Sequence, residues 1–217
     1  MHPKSIPMTA LMAALFLSLP VTGAAQSDPV AELDSLLGEI ETLSADVLQL
    51  IMESDGGVLE ESEIRMRLKK PGGFYWETVE PFPELIVTDG VKLWNYQPDL
   101  EQVVIEDWDS SRSELAAQLL NGETEQLAEE YTVAAVRADN NAQLSFQLTP
   151  RASDSIYHRI AINFIANELD SIHLDNKNGE QTLWQFNNLV RNQALADSLF
   201  IFDPPEGIEI VENSYVD

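Results

Sequence analysis

The sequence predicts a mainly β chain with a few helices, an α+β fold built on one large, curved, meandering antiparallel sheet. Three observations carry this reading. Apolar and polar residues alternate with period two in about a dozen short runs, turn residues separate the runs, and helical spacing appears in only a few places. From residue 67 to 106, RLKKPGGFYWETVEPFPELIVTDGVKLWNYQPDLEQVVIE reads as short strands joined by tight turns. Phe74, Trp76 and Thr78 share one face, and Tyr75, Glu77 and Val79 the other. Thr88-Asp89-Gly90 and Gln97-Pro98-Asp99 supply the turn chemistry.

A helix is expected over 29–41, where Val30, Leu33, Leu36, Leu37 and Ile40 recur at helical spacing behind the N-cap candidate Asp28 and Pro29 at N1. Strands are expected over 45–52, 62–69, 74–79, 85–88, 92–96 and 102–106. The period then changes: SELAAQLL, residues 113–120, places Leu115, Leu119 and Leu120 together, with Ser113 as N-cap candidate and Gly122 just past the end. Alternation returns over 131–137, 143–149, 158–165, 169–174, 181–187 and 198–202. A sheet of this size must curl and cover its inner face, by closing into a barrel or by packing helices against it.

The N-terminus decides where such a chain works. Lys4 precedes a nearly all-apolar run from residue 10 to 19, and Gly23, Ala24 and Ala25 form a small-residue cleavage pattern before Gln26. This predicts a secretory signal peptide over 1–25 and a single domain over 26–217. No later run approaches the roughly 18 to 20 apolar residues of a membrane-spanning helix. About 190 residues remain after cleavage, enough for one core without covalent staples. With no cysteine among 217 residues, neither a disulfide nor a lipidated cysteine is available.

LKKPGGFYW at 68–76, followed by LIVTDGVKLWNYQPDLEQV at 85–103, resembles the K-R-P-x-x-F-x-W and L-I-V-S-D-G-x-x-L-W-x-Y-x-P-x-x-x-Q signature of the periplasmic outer-membrane lipoprotein carriers, the LolA family. LSADVLQ at 43–49, LTPRA at 148–152 and FIFDPPEGIEIV at 200–211 extend the resemblance. It implies an incomplete antiparallel β-barrel with a helical lid over an apolar cavity that takes lipoprotein acyl chains. The cavity is expected to be lined by Leu43, Val47, Met66, Leu68, Phe74, Trp76, Trp94, Phe146, Ile160 and Ile162, under a lid helix carrying Leu115, Leu119 and Leu120. Any one of these side chains would look the same in a solidly packed core; their sum with the resemblance argues for the cavity. Leu43 and Val47 stand where the family tends to have aromatic residues. Lys70 stands where it usually has an arginine that locks the lid through backbone carbonyls. Lysine lacks the planar fork of arginine, so a looser lock is expected.

The resemblance further implies a soluble periplasmic chaperone, loaded with acylated lipoproteins by an inner-membrane ABC-type releasing transporter and unloaded onto an outer-membrane acceptor. It implies a monomer with no cofactor, no nucleic-acid partner and no stable membrane insertion. The anchored acceptor of similar fold begins with a lipidated cysteine, which favours the carrier role for this chain. The alternative is a general lipid or apolar-ligand binder, or a lipoprotein-sensing module, on the same fold.

Catalytic and metal motifs are not found. There is no Gly-x-Ser-x-Gly elbow, no H-E-x-x-H, no phosphate-cradling glycine loop and no cysteine nucleophile. Acid pairs such as Glu60-Glu61 and Glu129-Glu130 read as solvated surface, so a non-enzyme is expected. His158 and His173 have no second histidine or cysteine at ligand spacing. In Asp175-Asn176-Lys177-Asn178-Gly179-Glu180, Lys177 occupies a position where a calcium loop needs oxygen, so a hairpin turn is expected.

Twelve basic residues against 37 acidic give a net charge of −25, which argues against nucleic acid and anionic membrane surfaces. A saline habitat explains such acidity, and so does steering onto basic surfaces of the releasing and accepting proteins. Steering predicts that association with the acceptor slows severalfold between low and high salt; stopped-flow rates that hardly change would remove it.

Overall fold

The computed structural model describes residues 28–108, 127–138 and 142–213. Its strands are β1 (Thr42–Met52), β2 (Val58–Lys69), β3 (Gly73–Glu80), β4 (Glu84–Asp89), β5 (Lys92–Gln97), β6 (Gln102–Asp107), β7 (Tyr131–Arg137), β8 (Gln143–Pro150), β9 (Tyr157–Ile165), β10 (Glu168–Asn176), β11 (Gln181–Arg191) and β12 (Glu209–Asn213). All twelve belong to one sheet, ordered β12-β6-β5-β4-β3-β2-β1-β11-β10-β9-β8-β7. Two antiparallel meanders, β1 to β6 and β7 to β11, are joined where β1 pairs with β11. β12 adds in parallel to β6. The order ends at β7 and β12, which do not pair, so the sheet is open.

Helix α1 (Pro29–Gly38) starts where its cap chemistry dictates. Asp28 is extended, its carboxylate accepts the Val30 N–H at 3.1 Å, and Pro29 follows without a donor to satisfy. The helix stops at Gly38, three residues short of the expected 41, and turns its buried Leu33, Leu36 and Leu37 onto the sheet. One cluster holds these leucines with the inward residues of both meanders. Each fully buried side chain of this size contributes about 1.5–3 kcal/mol. A short helix, α2 (Leu127–Glu130), leads into β7.

The expected turns form for local reasons. At the β4–β5 hairpin, Asp89 Oδ1 accepts from the N–H groups of Val91 (2.8 Å) and Lys92 (2.9 Å), and Thr88 Oγ1 accepts from Gly90 N (3.0 Å). Gly90 and Gly72 both have positive φ, +88° and +80°, and their hairpins touch back to back. A Cβ on Gly72 would lie 2.8 Å from Gly90 Cα, closer than any side chain tolerates.

The C-terminal region differs from expectation. Residues 198–202 do not form a strand; Asp197–Phe200 is a turn of 3₁₀ helix and the chain then runs irregularly to β12. The cause is tertiary. Lys69 Nζ donates to Leu195 O (3.0 Å) and pairs with Asp197, drawing this segment onto the sheet. A Cβ on Gly73 would meet the Phe200 ring at 3.2 Å, and Phe202 packs on Tyr96 with ring centroids 5.1 Å apart. The twelfth strand is therefore 209–213, paired with a partner more than a hundred residues earlier.

Gly72→Ala is expected to lower stability by about 2–3 kcal/mol through steric overlap and an unfavourable φ. Gly38→Ala, with open space around the added carbon, should instead raise it by about 0.5–1 kcal/mol. Urea unfolding midpoints at unchanged slope decide both, and a Gly72→Ala protein as stable as its parent contradicts the close approach.

Candidate apolar-ligand site

The inner wall is assembled by register. Leu43 of β1 lies opposite Leu68 of β2, which lies opposite Phe74 of β3; Ala45, Met66 and Trp76 form the next row, and Val47, Ile64 and Thr78 the next. Across β11 to β7 the rows continue as Trp184, Ile172, Ile162, Phe146 and Ala135. Directly opposed residues share a face, so these rows make one continuous apolar surface. Phe74 stacks on Trp76 at 5.9 Å, Trp76 meets Trp184 edge-on at 5.9 Å, and Phe146 meets Phe164 edge-on at 5.8 Å. The Trp184 indole N–H donates to Gln49 Oε1 at 2.7 Å, satisfying the one polar atom this ring brings to the wall.

Of the residues expected to line the cavity, Leu43, Val47, Met66, Leu68, Phe74, Phe146, Ile160 and Ile162 fall in one buried cluster, and Trp76 packs against it. Trp94 is a correction. It lies opposite Val87 of β4 and Ile105 of β6, and Val87 lies opposite Tyr75, so Trp94 is on the outer face. That face has its own buried residues, Val87, Val103 and Phe200, which belong to the region under the C-terminal segment. The sequence reading missed Ile64, Phe164, Ile172 and Phe186 as wall residues. Each stands two residues from an inward neighbour, so period two extended along each strand would have found them.

Lys70 follows β2 and reaches the end of α1: its Nζ donates to Leu37 O at 2.8 Å, and its backbone N–H to Glu41 O at 2.9 Å. Asn192 holds the same junction from the other side. Its Oδ1 accepts from Glu41 N (2.8 Å) and Thr42 N (3.4 Å), and its Nδ2 donates to Glu39 O (2.9 Å). These donors meet carbonyls at and just beyond the C-terminus of the helix, where Leu37 O also accepts from Ile40 N at 3.1 Å. The Lys70 side chain thus reaches the C-terminal end of α1. The helix expected over 113–120, with Leu115, Leu119 and Leu120, lies outside the described residues. At the far edge, Arg137 of β7 pairs with Glu32 of α1, a partly exposed contact that adds little energy but ties the helix to β7.

Burial holds the Lys70 ammonium below its ordinary 10.5, while Glu41 and then Asp34 pull it back up. On β1 to β3 and β7 to β11 the arrangement presents alkyl and aromatic surface shielded from water, with Lys70 at the rim where the helix is clamped. Chemically it can take up apolar chains.

A family profile described as "Outer membrane lipoprotein carrier protein LolA" matches residues 38–203. The chain belongs to the LolA family. A relative from Chromohalobacter salexigens named outer-membrane lipoprotein carrier protein is 33% identical over 202 residues, 93% of this chain and 95% of that protein. One from Hahella chejuensis with the same name is 32% identical over 211 residues, 97% and 98% of the two chains. A solved structure, an uncharacterized conserved protein from Thermus thermophilus, shares the fold at a TM-score of 0.53 and 13% identity, covering 85% of this chain and 97% of that one. The stretch matching LolA begins at the last residue of α1 and ends beyond the 3₁₀ turn, so it contains the inner wall, Lys70 and Asn192. The motifs at 68–76 and 85–103 thus point to the family that residues 38–203 match.

Because the native chain disfavours the Lys70 charge, the unfolded chain holds more protons between the lowered native value and 10.5, and stability rises with pH across that window. The parent is expected to gain stability relative to Lys70→Met as pH climbs toward 10.5. Denaturation midpoints of the two proteins that keep a flat or shrinking gap would sink the burial argument.

Proposed function

We propose that this protein is a periplasmic carrier that takes the acyl chains of lipoproteins onto the inner wall of its open sheet and delivers them to an outer-membrane acceptor. One observation carries the reading: a continuous apolar surface among the described residues faces inward on a sheet whose two edges do not meet, beneath a helix that packs Leu33, Leu36 and Leu37 onto it and is hydrogen-bonded at one end. A barrel closed by strand pairing would need its ladder broken to admit a chain; this wall needs its cover moved and its packed side chains parted. Family membership and the small-residue cleavage pattern before Gln26 support export to the periplasm.

Transfer energetics shape the mechanism. Burying acyl chain is worth roughly 0.8 kcal/mol per CH₂, on the order of 10 kcal/mol for one long chain. Several chains sealed together would run past the roughly 18–21 kcal/mol at which non-covalent affinity saturates, and release would be too slow. The described interior is filled by its own side chains, with Leu33, Leu43, Met66, Phe146 and Ile162 fully buried. Cargo must part them, and that cost brings affinity into a range that permits hand-over. Loading by an inner-membrane releasing transporter and unloading to a higher-affinity acceptor then supply direction without a nucleotide site on the carrier.

Expressed with its leader in a periplasm, the protein is expected to purify with acylated lipoprotein, identified by mass spectrometry and shed on addition of an anchored acceptor. Free fatty acid or phospholipid alone would replace this reading with a general lipid binder. A cargo-free protein whose tryptophan fluorescence, with Trp76 and Trp184 on the inner wall, ignores added acyl peptide would refute both.

A further inference from the structure

The inner wall is not apolar throughout. On β4 to β6, register places Trp76, Ile86, Asn95 and Val104 in one row; beyond it Thr78 lies opposite Glu84 and Gln97 opposite Gln102, the two pairs linked by a Gln97–Glu84 hydrogen bond. These pairs are polar, and Gln97 Nε2 donates to Glu84 Oε1 at 3.1 Å in a partly buried contact. Asn95 stands at the boundary, between apolar Ile86 and Val104 on its own row and the Gln97–Glu84 pair beyond it. Its Oδ1 is buried and accepts no hydrogen bond among the described residues. A buried acceptor left in this state is costly, and few persist without a reason.

We propose that Asn95 is a specificity-determining residue that accepts a hydrogen bond from the N–H at the junction between an acyl chain and a peptide. The inference rests on the carrier reading and adds to it which amphiphiles are preferred. The unpartnered group here, Asn95 Oδ1, is an acceptor, so the matching ligand atom is a donor. An acyl ester has no hydrogen to donate at its junction, whereas an N-acyl amide has one N–H beside its carbonyl. With its alkyl chain along the Phe74 and Trp76 rows, an N-acyl peptide brings that N–H to the row of Asn95 and its polar remainder to Glu84, Gln97 and Gln102. Ester-only lipids leave the Oδ1 unpaired and gain nothing there.

The test is titration of the full mature chain with two probes, an N-palmitoyl dipeptide amide and the same molecule with the junction N–H replaced by an ester oxygen. The parent is expected to bind the amide about tenfold more tightly than the ester. Asn95→Leu should bring the ratio near one, mostly by weakening amide binding, while its urea midpoint stays equal to or above the parent's because an unpaired polar atom has been removed. Asn95→Ala serves as a second variant with the same expected ratio. Equal binding of both probes by the parent, or a tenfold preference that survives in either variant, overturns the role of Asn95 and leaves the carrier reading standing. A parent that binds neither probe overturns the carrier reading and this inference with it.

Discussion

The apolar inner face of the twelve-stranded sheet must be kept from water, and because β7 and β12 do not pair, the sheet cannot seal it by closing on itself. Helix α1 supplies part of the cover. Its position is set at one end by Lys70 and Asn192, whose side chains bond backbone groups of the helix C-terminus and the start of β1. These bonds act together with the buried Leu33, Leu36 and Leu37 to hold the helix against the wall. The family's usual arginine would bind with a planar fork; lysine substitutes a single, more strongly hydrated donor whose burial disfavours its charge.

Covering the outside matters as well. The C-terminal segment crosses the outer face near the β2–β3 turn, anchored by Lys69 to Leu195 O and Asp197 and by Phe200 and Phe202 on Gly73 and Tyr96. β3 and β4 therefore carry buried residues on both faces. This is why large side chains such as Trp94 point away from the wall that the acyl chains would occupy. It also frees the inner positions of β4 to β6 to be polar, with Glu84, Asn95, Gln97 and Gln102 where a uniform core would have aliphatic residues.

Charge is arranged around the same architecture. Among the described residues, Arg65, Lys69, Lys92, Arg137 and Arg159 each lie against a carboxylate, so much of the scarce positive charge ties strands and segments together. The surplus acid stays at the surface, in places with like charges directly opposed, as Glu63 of β2 is to Glu80 of β3. Such pairs lower stability slightly.

The sequence by itself determined the elements whose cause is local. Period-two alternation placed eleven of the twelve strands, Asp28 and Pro29 started α1, Thr88-Asp89-Gly90 made its hairpin, and the motifs at 68–76 and 85–103 pointed to the family. Most of the wall was legible for the same reason, since Leu43, Met66, Leu68, Phe74 and Phe146 sit in clean alternation. What remained depended on contacts distant in the chain. Leu93 and Asn95 alternate with Trp94 and Tyr96, but only register through Val87 and Tyr75 tells which set faces inward. Residues 198–202 read as a strand because they are apolar, yet Lys69 winds their start into a 3₁₀ turn and leaves Ile201 59% exposed. β12 finds its partner in β6, in parallel and far upstream, which no local pattern can announce. Alternation fixes that a strand has two faces; only the tertiary fold assigns those faces to wall, cover or solvent, because the assignment depends on what packs against each.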